Sequence, residues 1–190
     1  MVEAHPNLPE GKEQNNQSSP LRGDLPTGQA GKRGAILSLL SEIPDPEIPV
    51  INIQEPGILR DVIINGNDVE VVITPTYSGC PAMKQIEQDV ISKLKSSGIK
   101  NAKVKMVYHP AWTTDWITEE AKEKLRQYGI APPEKTTADK GALTGKKKVL
   151  ECPRCGSTNT VMISQFGSTA CKALFQCSDC KEAFDYFKCI

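Results

Sequence analysis

Cys152-Pro153-Arg154-Cys155 and Cys177-Ser178-Asp179-Cys180 put two C-x2-C pairs 21 residues apart near the C-terminus. Thiolates two residues apart on a tight turn can both face one ion. Two such turns supply the four ligands of a tetrahedral structural zinc site. Pro153 and Gly156 give the first turn suitable backbone chemistry. Soft thiolates suit a cysteine-ligated iron–sulfur cluster as well, so the spacing leaves zinc and cluster both open. Cys171 and Cys189 are additional thiols in the same stretch. Cys171 could replace a ligand or join a second site, or it is a buried structural thiol.

Cys80 stands apart from that group. Thr74-Pro75-Thr76-Tyr77-Ser78-Gly79-Cys80-Pro81 leads from a hydrophobic strand pattern into a helical one, and Pro81 suits a first helical position. Cys80 then sits at or beside the helix N-cap, where unpaired N–H groups favour an ionised thiol, both nucleophile and metal ligand. The competing reading is a small buried hydrophobe that fills a gap. Asp45 and Glu47, in a Pro-rich loop, are candidate carboxylates whose alternative roles are a turn cap and a solvated charge. With His5 in the N-terminal stretch and His109 at a strand end, no Cys-His pair is compelled, and no phosphate-binding loop, dinucleotide fingerprint or di-iron motif occurs. Enzymatic turnover by this chain alone has little support in these residues.

These residues need elements to position them. Residues 1–31 are rich in Pro, Gly, Asn, Gln and Ser and read as a disordered tail. Ile36, Leu39, Leu40 and Ile43 recur at helical spacing up to Pro44. Ile58 to Ile64 and Asp68 to Thr74 read as a hairpin about Asn65-Gly66-Asn67, with Val69, Val71 and Ile73 facing one way. A helix from Pro81, with Met83, Ile86, Val90, Ile91 and Leu94 as its stripe, stops at Gly98. Val104 and Met106 alternate with lysines as a third strand, and Thr118 to Tyr128 forms a helix closed by Gly129. The order predicts an α+β domain over 32–131, a small mixed sheet with helices packed on it. A Pro/Thr/Gly/Lys linker over 132–148 follows, then a metal module over 149–190 that is too small to fold without its ion.

Composition narrows the function. With 38% hydrophobic and 24% charged residues the chain is globular, and no run approaches the roughly 18–20 apolar residues of a membrane span. No signal-peptide pattern opens it, so a cytoplasmic protein is expected, in which seven cysteines mean metal or thiol chemistry rather than disulfides. Twenty-three basic against 23 acidic residues argue against a nucleic-acid binder.

Asp45-Pro46-Glu47, then Pro56-Gly57-Ile58-Leu59-Arg60-Asp61, then Ser78-Gly79-Cys80-Pro81 resembles the SufT-like domain of iron–sulfur assembly factors. His109 to Trp116, Leu125 to Pro133, Phe166 to Leu174 and the ending Phe184 to Cys189 look like the PaaD (or PaaJ) family of bacterial phenylacetyl-CoA 1,2-epoxidase systems. Glu55-Pro56-Gly57 departs from the family's usual Asp-Leu-Gly. The resemblance implies a SufT-like domain fused to a zinc ribbon, acting in aerobic phenylacetate catabolism, a degradation of aromatic compounds. It further implies a maturation factor for the epoxidase, with Cys80 as transient ligand for iron or an iron–sulfur cluster, and Asp45 and Glu47 shaping the site. Cys152, Cys155, Cys177 and Cys180 would hold structural zinc. The implied partners are the di-iron oxygenase or iron–sulfur reductase subunits; no nucleic acid or membrane is implied, and self-association is left open. A non-catalytic structural component of the oxygenase is the alternative, with Trp112, Trp116 and Tyr108 as interface anchors unless the tryptophans pack the core. A thiol-redox role is weaker, because no C-x-x-C accompanies Cys80.

Overall fold

The structure, a computed structural model, describes residues 27–133 and 150–188. The greater part of the expected tail, the expected linker from residue 134 onward, and Cys189 lie outside the described residues.

Helix α1 spans Thr27–Leu40, so it begins before the expected boundary at residue 32. Gly28, Gly31 and Gly34 each cost about 1 kcal/mol relative to alanine in a helix, which hides its start from a propensity reading. Tertiary contacts compensate: Arg33 bonds Asp61 Oδ1 at 2.6 Å and the Val62 carbonyl at 3.2 Å. Strands β1 (Leu59–Asn65) and β2 (Asp68–Ile73) form the expected antiparallel hairpin. Gly66 supplies its positive φ of 60°. Helix α2 (Ala82–Ser96) then crosses over, and strand β3 (Asn101–Met106) pairs parallel with β2, giving the order β1-β2-β3. Val69, Val71, Ile73, Ile86, Val90 and Leu94 are fully buried between the central strand and α2, with Ile36 and Leu40 from α1 closing the core. Alternation puts Ile63 and the β3 lysines on the solvated face.

A bulge between Leu59 and Asp61 re-aims Arg60, whose guanidinium lies 3.5 Å from the ring centroid of Trp116. Just before it, Gly57 has φ +75°, and a Cβ there would meet Trp116 Cβ at 2.8 Å. Only glycine fits this turn.

Helix α3 (Glu119–Tyr128) is capped by Thr118, whose side chain accepts from Ala121 N, and ends on left-handed Gly129. That turn delivers β4 (Ile130–Ala131) onto the C-terminal module, where it pairs parallel with β7 (Ala183–Phe187). With β5 (Thr160–Ser164) and β6 (Lys172–Cys177), the second sheet runs β4-β7-β6-β5. The module's sheet is therefore completed by residues ahead of the expected linker. A mixed core of Ile48, Ile51, Trp112, Leu125, Cys171 and Phe187 seals the two parts together. Trp112 belongs to that core: it is 7% exposed, donates Nε1–H to the Pro56 carbonyl at 2.7 Å, and meets Phe187 edge-on.

Candidate functional site

The loop between α1 and β1 is built from two side-chain-capped turns. Asp45 Oδ1 accepts from the N–H groups of Glu47 at 2.8 Å and Ile48 at 2.9 Å. Asn52 Oδ1 accepts from Gln54 and Glu55, and Glu55 returns the contact by accepting from Asn52 N at 2.7 Å. These bonds replace the regular ladder that alternating prolines forbid. Glu55 is also tied to Lys124 of α3 at 2.6 Å.

The first turn projects Glu47 toward the start of α2. Cys80 precedes that helix, with Pro81 at its N-cap, and is half-buried. Cys80, Asp45, Glu47, Thr76, Phe187 and Cys171 line one small cavity with about 10 Å³ of water-accessible space. This is roughly the room one water or one ion occupies. The expectation that Cys80 ionises readily is overturned here. Burial pushes its thiol above the ordinary value, and Glu47 and Asp45 add to the rise, outweighing the backbone N–H groups of Ala82 and Met83. Burial likewise raises Asp45 and Tyr77, and carries Cys171 to about 12.

The four cysteines of the doubled pattern converge. All their Sγ atoms lie within 4.8 Å of one another, with Cys152 to Cys180 at 3.8 Å and Cys155 to Cys177 at 3.6 Å. Four sulfurs about 2.3 Å from one tetrahedral ion stand about 3.8 Å apart, so the donor set fits a single metal ion. A polynuclear cluster inserts separate irons between its thiolates and needs them spread wider. The Cys180 backbone N–H lowers the Cys177 thiol, while burial and hydrogen bonds with neighbouring thiols raise Cys155 and Cys180. Asp179 braces the pair by accepting from Asn159 Nδ2 at 2.9 Å and from Ser157.

His109 and Tyr108 are exposed and do not line that cavity, while Trp116 is half-buried under Arg60. Sequence reading did not connect Cys171 to Glu47, nor assign Lys172, Tyr77 or Thr169. The one signal was Lys172 itself, a lysine that ends up 4% exposed beside a cysteine.

A protein of Escherichia coli (strain K12), named as a component of 1,2-phenylacetyl-CoA epoxidase, is 47% identical over 155 residues, covering 82% of this chain and 92% of that protein. Residues 136–188 match the family described as PaaD zinc beta ribbon domain. The chain belongs to the PaaD family. In this PaaD protein, residues 33–106 match the family described as iron-sulfur cluster assembly protein. The "Fe-S protein maturation auxiliary factor" of Porphyromonas gingivalis (strain ATCC BAA-308 / W83) is 36% identical over 92 residues, 47% of this chain and 87% of that protein. Among solved structures, a DUF59 domain of Bacillus anthracis aligns with a TM-score of 0.48 at 26% identity, over 50% of this chain and 92% of that one. A Thermotoga maritima protein, TM0487, aligns with a TM-score of 0.43 at 26% identity, over 49% and 92%. The PaaD chain thus joins an iron–sulfur assembly-type α+β domain to a zinc ribbon with a metal-binding cysteine cluster, as its sequence led us to expect. Among the described residues no helix is long and apolar enough to cross a membrane.

Proposed function

We propose that this PaaD protein is a cytoplasmic maturation factor for the phenylacetyl-CoA epoxidase, handing iron or an iron–sulfur cluster to the di-iron oxygenase or the iron–sulfur reductase. The observation that carries the reading is the shared cavity: a thiol, Cys80, opens into it beside two carboxylates, Asp45 and Glu47, within the stretch matched to iron-sulfur cluster assembly proteins. Cargo is the substrate here. Cys80 binds it as thiolate, releasing a proton to solvent, and takes the proton back when a client's ligands remove the metal. Glu47 supplies negative potential and an oxygen donor. Asp45 fixes the turn that aims Glu47, through its two backbone bonds. A protonated resting thiol and a nearly closed cavity favour brief holding over permanent ligation.

Cys152, Cys155, Cys177 and Cys180 hold zinc, which supplies the cross-link a module of this size needs in place of a larger core. In this reading the chain divides into an assembly domain over 32–131 and a ribbon over 149–190, joined by 132–148, and the ribbon offers the docking surface for the client.

The test is a strain whose only copy of the protein carries Cys80→Ser. Its epoxidase should assemble, lack activity, and contain less iron in the client than the parent's. Full activity and full iron content would end the ligand role. Stoichiometric, stable co-purification of the chain with an iron-replete, active Cys80→Ser complex would instead mark it as a structural component.

A further inference from the structure

Cys171 has no role in the maturation reading, yet it lines the cavity with Cys80. It immediately precedes β6 in the C-terminal module, and its Sγ donates to Glu47 Oε2 at 3.3 Å. Several bonds build this approach. Lys172 Nζ donates to the Glu47 carbonyl at 3.4 Å, and Lys188 N to the Cys171 carbonyl at 3.0 Å. The preceding loop folds back through Gly167 N to the Lys172 carbonyl at 2.8 Å and Ser168 Oγ to Asp185 Oδ2 at 2.7 Å, and a Cβ at Gly167 would collide with the Asp185 carboxylate. These contacts tie the loop to β6 and β7 on either side of Cys171.

Two thiols and a carboxylate around a hole of about 10 Å³ make a donor set for one thiophilic cation, with no room for a cluster. We propose that Cys80 and Cys171, with Glu47, form a composite site between the assembly domain and the ribbon that holds a single thiophilic divalent cation, iron(II), as cargo. The proposal rests on the maturation reading and names its cargo and second thiol. On loading, both thiols lose their protons to solvent, the ion gains two thiolates and one Glu47 oxygen, and no electron moves. On delivery the client's ligands displace them and two protons return. The contrast with the ribbon is physical. Among the described residues only the four ribbon cysteines lie close enough together to surround one ion as they stand, so Cys80 has to close in on the Cys171–Glu47 pair when the ion is loaded and withdraws when it leaves. A converged site retains its metal, and an open one lets it go.

The experiment titrates the full chain, its ribbon filled with zinc, with cobalt(II) alone and without oxygen, reading thiolate-to-cobalt charge-transfer absorption. The wild type should bind one further ion. Cys80→Ser and Cys171→Ser should each halve the band per bound ion and weaken binding at least about tenfold, and Glu47→Gln should weaken it about tenfold with the band kept. Zinc content of each variant reports whether the ribbon is intact; if Cys171→Ser loses its zinc, Glu47→Gln decides. Wild-type affinity and band in Cys171→Ser, unchanged affinity in Glu47→Gln, or no cobalt uptake by the wild type overturns the composite site. A loss seen with Cys80→Ser but not with Cys171→Ser removes Cys171 and leaves the maturation reading standing. Wild-type behaviour of Cys80→Ser removes both.

Discussion

Cys171 donates its S–H to Glu47 across 124 residues of chain, so a thiol at the edge of the ribbon and a carboxylate of the assembly domain meet over one cavity. The ribbon therefore supplies part of the wall of the cavity that Cys80 opens into.

Removing the ribbon's metal should unfold the C-terminal sheet and take β4 with it. Structural zinc contributes on the order of 10 kcal/mol to small modules of this kind, far more than 39 described residues can supply by burial alone. Chelation, or Cys177→Ser, should render residues 150–188 protease-sensitive while α2 stays protected. A ribbon that remains resistant after zinc is shown to be gone would refute this.

Asp45 separates a hydrogen-bonding role from a charge role. Asp45→Ala loses both backbone bonds and should cost about 1–3 kcal/mol, whereas Asp45→Asn keeps the acceptor and should cost much less. Because burial raises the native Asp45 carboxyl above 3.8, the folded state holds its proton more tightly than the unfolded chain does. The stability this gives is full below 3.8 and fades as pH rises through the raised native value. Denaturant midpoints measured from about pH 3.5 to 7 should show Asp45→Asn gaining on the wild type as pH rises. A constant gap would contradict the assignment.

Cys80 should be a sluggish nucleophile despite its position before a helix. Its raised thiol leaves little thiolate at neutral pH, so alkylation by iodoacetamide should climb about tenfold per pH unit through about pH 7–8 and run slower than at an exposed cysteine. Glu47→Gln removes one of the carboxylates that raise the thiol and should speed the reaction. Peptide mass mapping reads the rate at this site, and faster alkylation than an unperturbed thiol would show that burial is not in control.

Gly57→Ala and Gly66→Ala both impose a side chain at positive φ, but only the first also meets a neighbour, Trp116. Gly66→Ala should cost about 1 kcal/mol, and Gly57→Ala more, about 2–4 kcal/mol, because Trp116 has to shift beneath Arg60. Equal melting temperatures for the two variants would mean that Trp116 yields freely.

Local signals carried most of the fold. The hairpin about Asn65-Gly66, the α2 stripe from Met83 to Leu94 and the Thr118-to-Gly129 helix are visible because turn residues and hydrophobic period act over a few positions. The early start of α1 was hidden, since its glycines oppose a helix that tertiary ion pairing retains. The tryptophans could not be apportioned from sequence either: Trp112 finds its partner in the Pro56 carbonyl, 56 residues away.

By itself, the sequence determined the metal cluster: C-x2-C spacing is short enough for a turn to aim both thiolates, so four ligands are legible without the rest of the chain. It also marked Cys80, Asp45 and Glu47 as candidates. Only the tertiary structure decided that β4 joins the ribbon's sheet, that Cys80 is a raised thiol rather than an activated one, and that Cys171 shares its cavity. Desolvation, carboxylate fields and the meeting of distant side chains depend on packing between segments, and no local spacing records them.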